Sequence, residues 1–241
     1  MKFYSSIADH YDYIFPYNPM HNTFVLNSIT SPEDKSLLDI GCGTGNLSLK
    51  LAESYSSVSA IDLDPEMIIK ANRKVQKQRN IDFICMNMMD IRRVFGENRF
   101  DSIMSFGNSL VHLHDSEMIN QFFSNVRKTL KPSGKFLIQI INYDRILYEN
   151  IKGLSTIENK HIRFERKYNY IKKENTVEFI TSLTVKNTGE ILENKVNLYP
   201  LLHSEIYSLL EQNNFEKIHF YGDFKKGSFS ADSIPLIVEA Y

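Results

Sequence analysis

The sequence predicts an α/β fold: a largely parallel sheet with helices on both faces, carrying an inserted antiparallel β flap. Three observations carry this expectation. Apolar runs of strand length alternate with helix-patterned segments over the first 141 residues. One of those runs passes straight into the glycine turn of "LLDIGCGTG". Later, three segments follow one another with only short polar turns between them, which a parallel crossover cannot accommodate.

In chain order, a helix is expected over Met20–Ile29, after Pro16 and Pro19 break the preceding segment. "SLLDIG" reads as a buried strand, and Asn46–Ser54 as a helix whose apolar part is Leu47, Leu49 and Leu51. Strand Val58–Ile61, helix Pro65–Lys77, and strands Ile81–Met86 and Phe100–Ser105 continue the alternation. A helix over Ser116–Leu130 ends at "KPSGK", where Pro132 and Gly134 mark a turn into strand Phe136–Ile141. Residues 161–171, 176–187 and 190–199 form the meander, with "KKEN" and "NTGE" as turns. Helix Leu202–Gln212 and strands Ile218–Tyr221 and Leu236–Ala240 complete the pattern.

The chain of 241 residues has a formal net charge of -1, so no global field points to nucleic acid or an anionic membrane. Basic pairs such as Arg92–Arg93 and Lys225–Lys226 are scattered, which argues against a nucleic-acid partner. Cys42 and Cys85 form no CxxC pair, and no apolar run reaches the ~20 residues of a membrane span. The expectation is a soluble, cytoplasmic protein with a small-molecule partner. "HLHD" at His112–Asp115 is no metal site, because alternate side chains diverge in extended chain and no second cluster answers them.

Glycines after a strand let a ligand approach the backbone closely. The spacing of Gly41, Gly43 and Gly45 differs from GxGxxG, and no Lys-Ser or Lys-Thr follows, so a pyrophosphate is not the expected ligand. Asp62, ending the next strand, can accept both hydroxyls of a ribose, while Asp64 before Pro65 reads as a helix cap. Asp90, after the third strand, can accept from an exocyclic amine, with Leu63 and Met89 bracketing the ring.

"LLDIGCGTG", "AIDLDPEM", "MMD" and "LKPSGKF", in this order and spacing, resemble class I S-adenosylmethionine-dependent methyltransferases across essentially the whole chain. The resemblance implies a Rossmann-like seven-stranded sheet. It implies a donor, S-adenosyl-L-methionine, whose methionine part meets Gly41, Cys42, Gly43 and Gly45, with Asp39 orienting its amino end. Asp62 would hold the ribose and Asp90 the adenine amine, with Leu63, Met67, Met89 and Phe106 against the donor. S-adenosyl-L-homocysteine would be the product. The expected organisation is one methyltransferase domain over 1–241. It comprises a lid and lead-in helix at 1–30, a donor-binding core at 31–141, a substrate-side insertion at 142–200, and a return to the core sheet at 201–241.

"SFGNSLVHL", "NYDRIL", "TVEFITSLTV" and "YPLLHSEIYSLLEQNNFEKIHFYGDF" more narrowly resemble the glycine and sarcosine N-methyltransferases. That likeness implies Asn108 offering its amide to substrate or donor, Tyr143 lining the pocket, and His112 nearby. Relatives that methylate glycine have an arginine immediately before "NYD"; here the position is Ile141, which cannot replace a bidentate contact to a carboxylate. "YSSIADHYDYIFPY" resembles a lid segment, in which Tyr11 and Tyr13 would close over the sulfonium. The function expected is methyl transfer to a small-molecule amine, an amino acid or glycine derivative among the options, by direct in-line displacement. Small-molecule O-methylation, RNA methylation and a donor-binding regulatory role stay open, as does the choice between monomer and homo-oligomer.

Overall fold

The computed structural model describes residues 2–76 and 78–241. Met1, the first residue of the expected lid, and Lys77, the expected end of a helix, lie outside the described residues. Two short helices, α1 (Lys2–Ile7) and α2 (Tyr11–Ile14), precede α3 (Pro19–Asn27). Asn18 starts α3 by accepting from Met20 N at 3.0 Å, with Pro19 preset for the first helical turn. The alternation then runs β1 (Ser36–Ile40), α4 (Asn46–Leu51), β2 (Ser57–Asp62), α5 (Pro65–Lys74), β3 (Ile81–Cys85), α6 (Ile91–Phe95), β4 (Phe100–Ser105), α7 (Ser116–Thr129) and β5 (Leu130–Ile141).

The helices pack because their apolar residues repeat at helical spacing. On α7, Ile119, Phe122, Phe123 and Val126 form one buried stripe, and Asp115 caps the first turn by accepting from Met118 N at 2.7 Å. Helix α5 stops three residues short of the expected end, because Val75 already has extended backbone (φ -66°, ψ 120°). The expected "KPSGK" turn is absorbed into β5 as a bulge. Phe100 pairs with Leu130 and Ser102 with Lys135, so residues 131–134 project from the ladder where Pro132 has no N–H to give.

After β5 come α8 (Tyr143–Tyr148), then β6 (Gly153–Glu158), β7 (Ile162–Ile171), β8 (Thr176–Val185) and β9 (Ile191–Leu198). The chain returns through α9 (His203–Gln212), β10 (Ile218–Tyr221) and β11 (Pro235–Ala240). Among the described residues, seven strands form one sheet in the order β10-β11-β5-β4-β1-β2-β3, in which β11 runs antiparallel to both its neighbours and every other pair is parallel. A second sheet, β6-β7-β8-β9, is antiparallel throughout. The expected meander therefore has a fourth strand, β6, and α6 and α8 are additional to the elements expected.

Strand β1 pairs with β2 on one side and β4 on the other, so the order of the sheet reverses there. Such a switch point opens a crevice beyond the carboxyl ends of the strands. The N-terminal helices roof this crevice from the flap: Phe3, Ile7 and Ile14 pack with Ile162, Phe164 and Leu183 in one buried cluster. Each such side chain contributes about 1.5–3 kcal/mol by leaving water.

Candidate functional site

At the end of β1 the chain turns on three glycines with left-handed backbone: Gly41 (φ 77°), Gly43 (φ 55°) and Gly45 (φ 78°). Gly41 N and Cys42 N both donate to Ile61 O, at 2.8 and 3.0 Å, which stitches the turn to the end of β2. A methyl group on Gly41 would run into the side chain of Ser109. On Gly43 it would stand 3.0 Å from the Tyr11 ring. On Gly45 it would stand 2.5 Å from Phe83, on the side of the turn that packs the core. Gly41 and Gly43 line the crevice; Gly45 does not, and its glycine is explained by Phe83 and Ala71.

Asp62 ends β2 with both carboxylate oxygens engaged: Gly43 N donates to Oδ2 at 2.8 Å and Asp64 N to Oδ1 at 2.9 Å. Burial raises its pKa, opposed by those two N–H groups. Asp64 is the helix cap the sequence indicates, accepting from Glu66 N at 3.0 Å and Met67 N at 3.4 Å, and its other oxygen takes a 2.5 Å bond from Ser5. Asp39, only 4% exposed, accepts from Ser48 Oγ at 2.5 Å. Burial pushes its carboxyl up to about 7, against the Ser48 hydrogen bond and with the Asp62 charge adding to the rise. Burial likewise pushes the Cys42 thiol well up, so it stays protonated.

Two cavities meet over this turn. The first, ≈ 200 Å³, is lined by Asp62, Leu63, Met67, Asn87 and Met88. The second, ≈ 330 Å³, lies under the flap and is lined by Asp39, Cys42, Ile141, Arg166, Tyr168 and Phe179. Tyr4, Tyr11, Gly41, Phe106, Gly107 and His112 line both. Tyr4 Oη and His112 Nε2 share a hydrogen bond of 2.8 Å, and burial, with His114 adding, lowers the His112 pKa to about 4. Burial raises the Tyr11 phenol, with Asp62 adding, so Tyr11 keeps its proton.

The N-terminal segment is fastened over the turn. Asp12 accepts from Thr44, from Asn46 Nδ2 at 2.9 Å and from Lys74 Nζ at 2.6 Å, and Asp9 pairs with Lys70 at 2.5 Å. Burial alone would raise the Asp12 carboxyl, but the Lys74 and Thr44 hydrogen bonds override it and lower its pKa.

Several expected site residues stand elsewhere. Tyr13 lines neither cavity: it is 43% exposed and its ring stacks on His161 with centroids 4.0 Å apart. Tyr143 is fully buried; Asn142 caps α8 at Arg145 N, which turns the next residue inward, and its hydroxyl accepts from Asn108 Nδ2 at 3.1 Å. Asn108, at φ 70°, lines the flap cavity, but its amide is spent on Tyr143 and on Ile141 N at 3.1 Å. Asp90 pairs with Arg93 at 3.1 Å, and neither it nor Met89 lines a cavity.

Asn87 and Met88 line the first cavity instead. The strand ends at Cys85, so residue 87 is still at the sheet edge, whereas the 3-10 turn Met88–Asp90 carries the acid away. Tyr4 and Arg166 also line the site without having been singled out for it. Among the described residues no group of three His, Cys, Asp or Glu side chains is arranged to hold a metal ion, and no helix is long and apolar enough to cross a membrane.

The profile of a methyltransferase domain matches residues 37–134. The Bacillus subtilis (strain 168) protein named "Putative methyltransferase YqeM" is 31% identical over 137 residues, covering 57% of this chain and 55% of that protein. The chain thus matches about half the length of that relative. A glycine/sarcosine N-methyltransferase of Aphanothece halophytica is 28% identical over 207 residues, covering 84% of this chain and 74% of that enzyme. An S-adenosylmethionine-dependent methyltransferase structure from Clostridium acetobutylicum ATCC 824 superposes with a TM-score of 0.80 at 18% identity, covering 98% of each chain, a likeness of fold.

Proposed function

We propose that the chain is a class I S-adenosylmethionine-dependent methyltransferase and that it transfers the donor's methyl group to a small-molecule amine held under the flap. The observation that carries this reading is the meeting of the two cavities over Gly41, one edged by the Asp62 carboxylate and the other enclosed by flap and N-terminal aromatics. The residues present fit the donor. Two left-handed glycines crowded by Ser109 and Tyr11 form the cradle, Asp62 retains acceptor capacity towards ribose hydroxyls, and Asn87, whose Oδ1 accepts from Met89 N at 3.0 Å, keeps its NH2 at the far end. Asp39 faces the flap side of the turn, as an acceptor for a cationic amino end.

When bound, S-adenosyl-L-methionine supplies an electrophilic methyl group on a sulfonium and leaves as S-adenosyl-L-homocysteine. The chain's part is alignment of the incoming lone pair with that methyl, which is proximity and orientation. Tyr4, Tyr11 and Phe106 put aromatic rings around the shared space, and aromatic faces favour a cation. Asp12 and Asp9 hold the Tyr11 segment down, which excludes water. His112, with its pKa near 4, is neutral and too weak a base to activate an alcohol near neutral pH. An amine that arrives uncharged needs no base before attack, and this favours N- over O-methylation.

Release of S-adenosyl-L-homocysteine, measured separately with amines, alcohols and RNA, tests the acceptor class. Turnover with amines supports the reading, and turnover confined to RNA or alcohols overturns it. The raised Asp39 pKa gives a second expectation. A cationic amino end favours the carboxylate, so binding must expel the Asp39 proton below about pH 7. Donor affinity should therefore rise as pH climbs through about 6 to 7, by up to roughly tenfold per unit. Titration calorimetry should show that slope in the native chain and a flatter one in Asp39→Asn; equal slopes would remove Asp39 from the donor site.

A further inference from the structure

Strand β7 presents Phe164, Arg166 and Tyr168 on one face, and all three line the cavity under the flap. Across the sheet, Arg166 is in register with Thr181 of β8, and Thr181 with Asn194 of β9. The flanking rows are apolar: Phe164, Leu183 and Leu192 on one side, Tyr168, Phe179 and Val196 on the other. A single polar row thus crosses an apolar face. Each of its members keeps a buried polar atom without a hydrogen-bond partner: Arg166 Nε, Thr181 Oγ1 and Asn194 Nδ2.

Arg166 Nη2 donates to Ser155 O at 2.5 Å, and among the described residues no carboxylate lies within ion-pair distance of the guanidinium. A partly buried guanidinium with an orphaned N–H is costly unless something anionic meets it. Among the described residues no other lysine or arginine lines this cavity, and Ile141 lines it too, at the position where the glycine-methylating pattern would put its arginine.

We propose that Arg166 is the anion-binding residue of the acceptor site, and that the acceptor is a small amine bearing one carboxylate. This rests on the small-amine reading above and deepens it. The single guanidinium, with Nε unpartnered beside the Nη2 that meets Ser155 O, matches one carboxylate; a dianionic phosphate calls for a second cation, which the described lining does not add. The cation moves from the edge of the main sheet to the flap, so the carboxylate points towards β7 while the amine points to the space shared with the donor.

The test offers the native chain α-amino acids, each paired with its uncharged amide, and phosphoethanolamine as the phosphate-bearing amine. Methylated products and S-adenosyl-L-homocysteine are quantified for each. The expected result is a carboxylate preference of about 100-fold in kcat/KM over the amide. Arg166→Met should abolish that preference mainly through KM, and Arg166→Lys should restore it in part. S-adenosyl-L-methionine affinity, measured on the same variants, should stay within about threefold of native, which shows an intact fold. Methylation of amides and amino acids alike, or preference for phosphoethanolamine, overturns the Arg166 assignment and leaves the small-amine reading standing. Donor binding without methylation of any amine overturns both.

Discussion

Gly41→Ala is expected to weaken S-adenosyl-L-methionine binding by about 100-fold or more. An L-residue held at φ 77° costs roughly 1–2 kcal/mol, and the new methyl would collide with the side chain of Ser109 on the loop after β4. Either Ser109 or the turn must yield. Both line the first cavity, so the displacement falls on the donor. A further ~1–2 kcal/mol lost to misplacement brings the sum to about 3 kcal/mol. Calorimetric titration measures the loss, and Gly41→Ala combined with Ser109→Gly separates its parts. The double variant should recover the collision term and keep the backbone term. A single variant that binds the donor within a few-fold of native would remove Gly41 from the cradle.

Asp62 is the second position where one side chain decides the site. Its two oxygens accept from Gly43 N and Asp64 N, so the carboxylate both shapes the turn and faces the cavity. Asp62→Ala leaves two N–H groups without acceptors, at about 1–3 kcal/mol each. Asp62→Asn is no milder in kind. An amide offers one oxygen and one NH2, so one of the two N–H groups meets a donor. Both variants should lose donor affinity by about 100-fold, with Asn nearer to native in thermal midpoint than Ala. Near-native donor affinity in Asp62→Asn would show that the charge and the double acceptance are dispensable.

The parallel core was legible because its signals are local. Apolar runs such as "SLLDIG", a proline after an acid at Asp64–Pro65, and the α7 stripe each act within a few residues. The glycine turn and Asp62 were legible for the same reason: backbone shape demands glycine, and the strand end fixes where the acid stands. The structure places other expected site residues away from the two cavities where their direction depends on where an element ends. Asp90 was the expected adenine contact, but β3 ends at Cys85, and Asn87 takes the edge while Asp90 turns to Arg93. Tyr143 was expected in the pocket, but α8 begins at that residue and rotates it into the core. Tyr13 sits beside Tyr11 in sequence, yet a two-residue step on the short α2 sends it to His161.

Arg166 left a signal that could have been read. In "IRFERKYNYI" the face bearing Ile162, Phe164 and Tyr168 is otherwise apolar inward, and one arginine interrupts it. A charge on the wrong side of a period-two pattern marks either a register error or a ligand. The hydrophobic cluster of Phe3, Ile7 and Ile14 against Ile162 and Phe164, by contrast, joins residues some 150 positions apart and has no local trace.

Methyl transfer to a small amine across the space shared by the two cavities is the reaction to be tested. Its most direct measurement incubates the native chain with methyl-labelled S-adenosyl-L-methionine and a pool of small amines, followed by mass spectrometry of both products. One labelled methyl on an amine nitrogen is expected for each S-adenosyl-L-homocysteine released. Donor binding with no labelled amine would contradict the acceptor reading, and failure to bind the donor would contradict the reading of Gly41, Gly43 and Asp62 together.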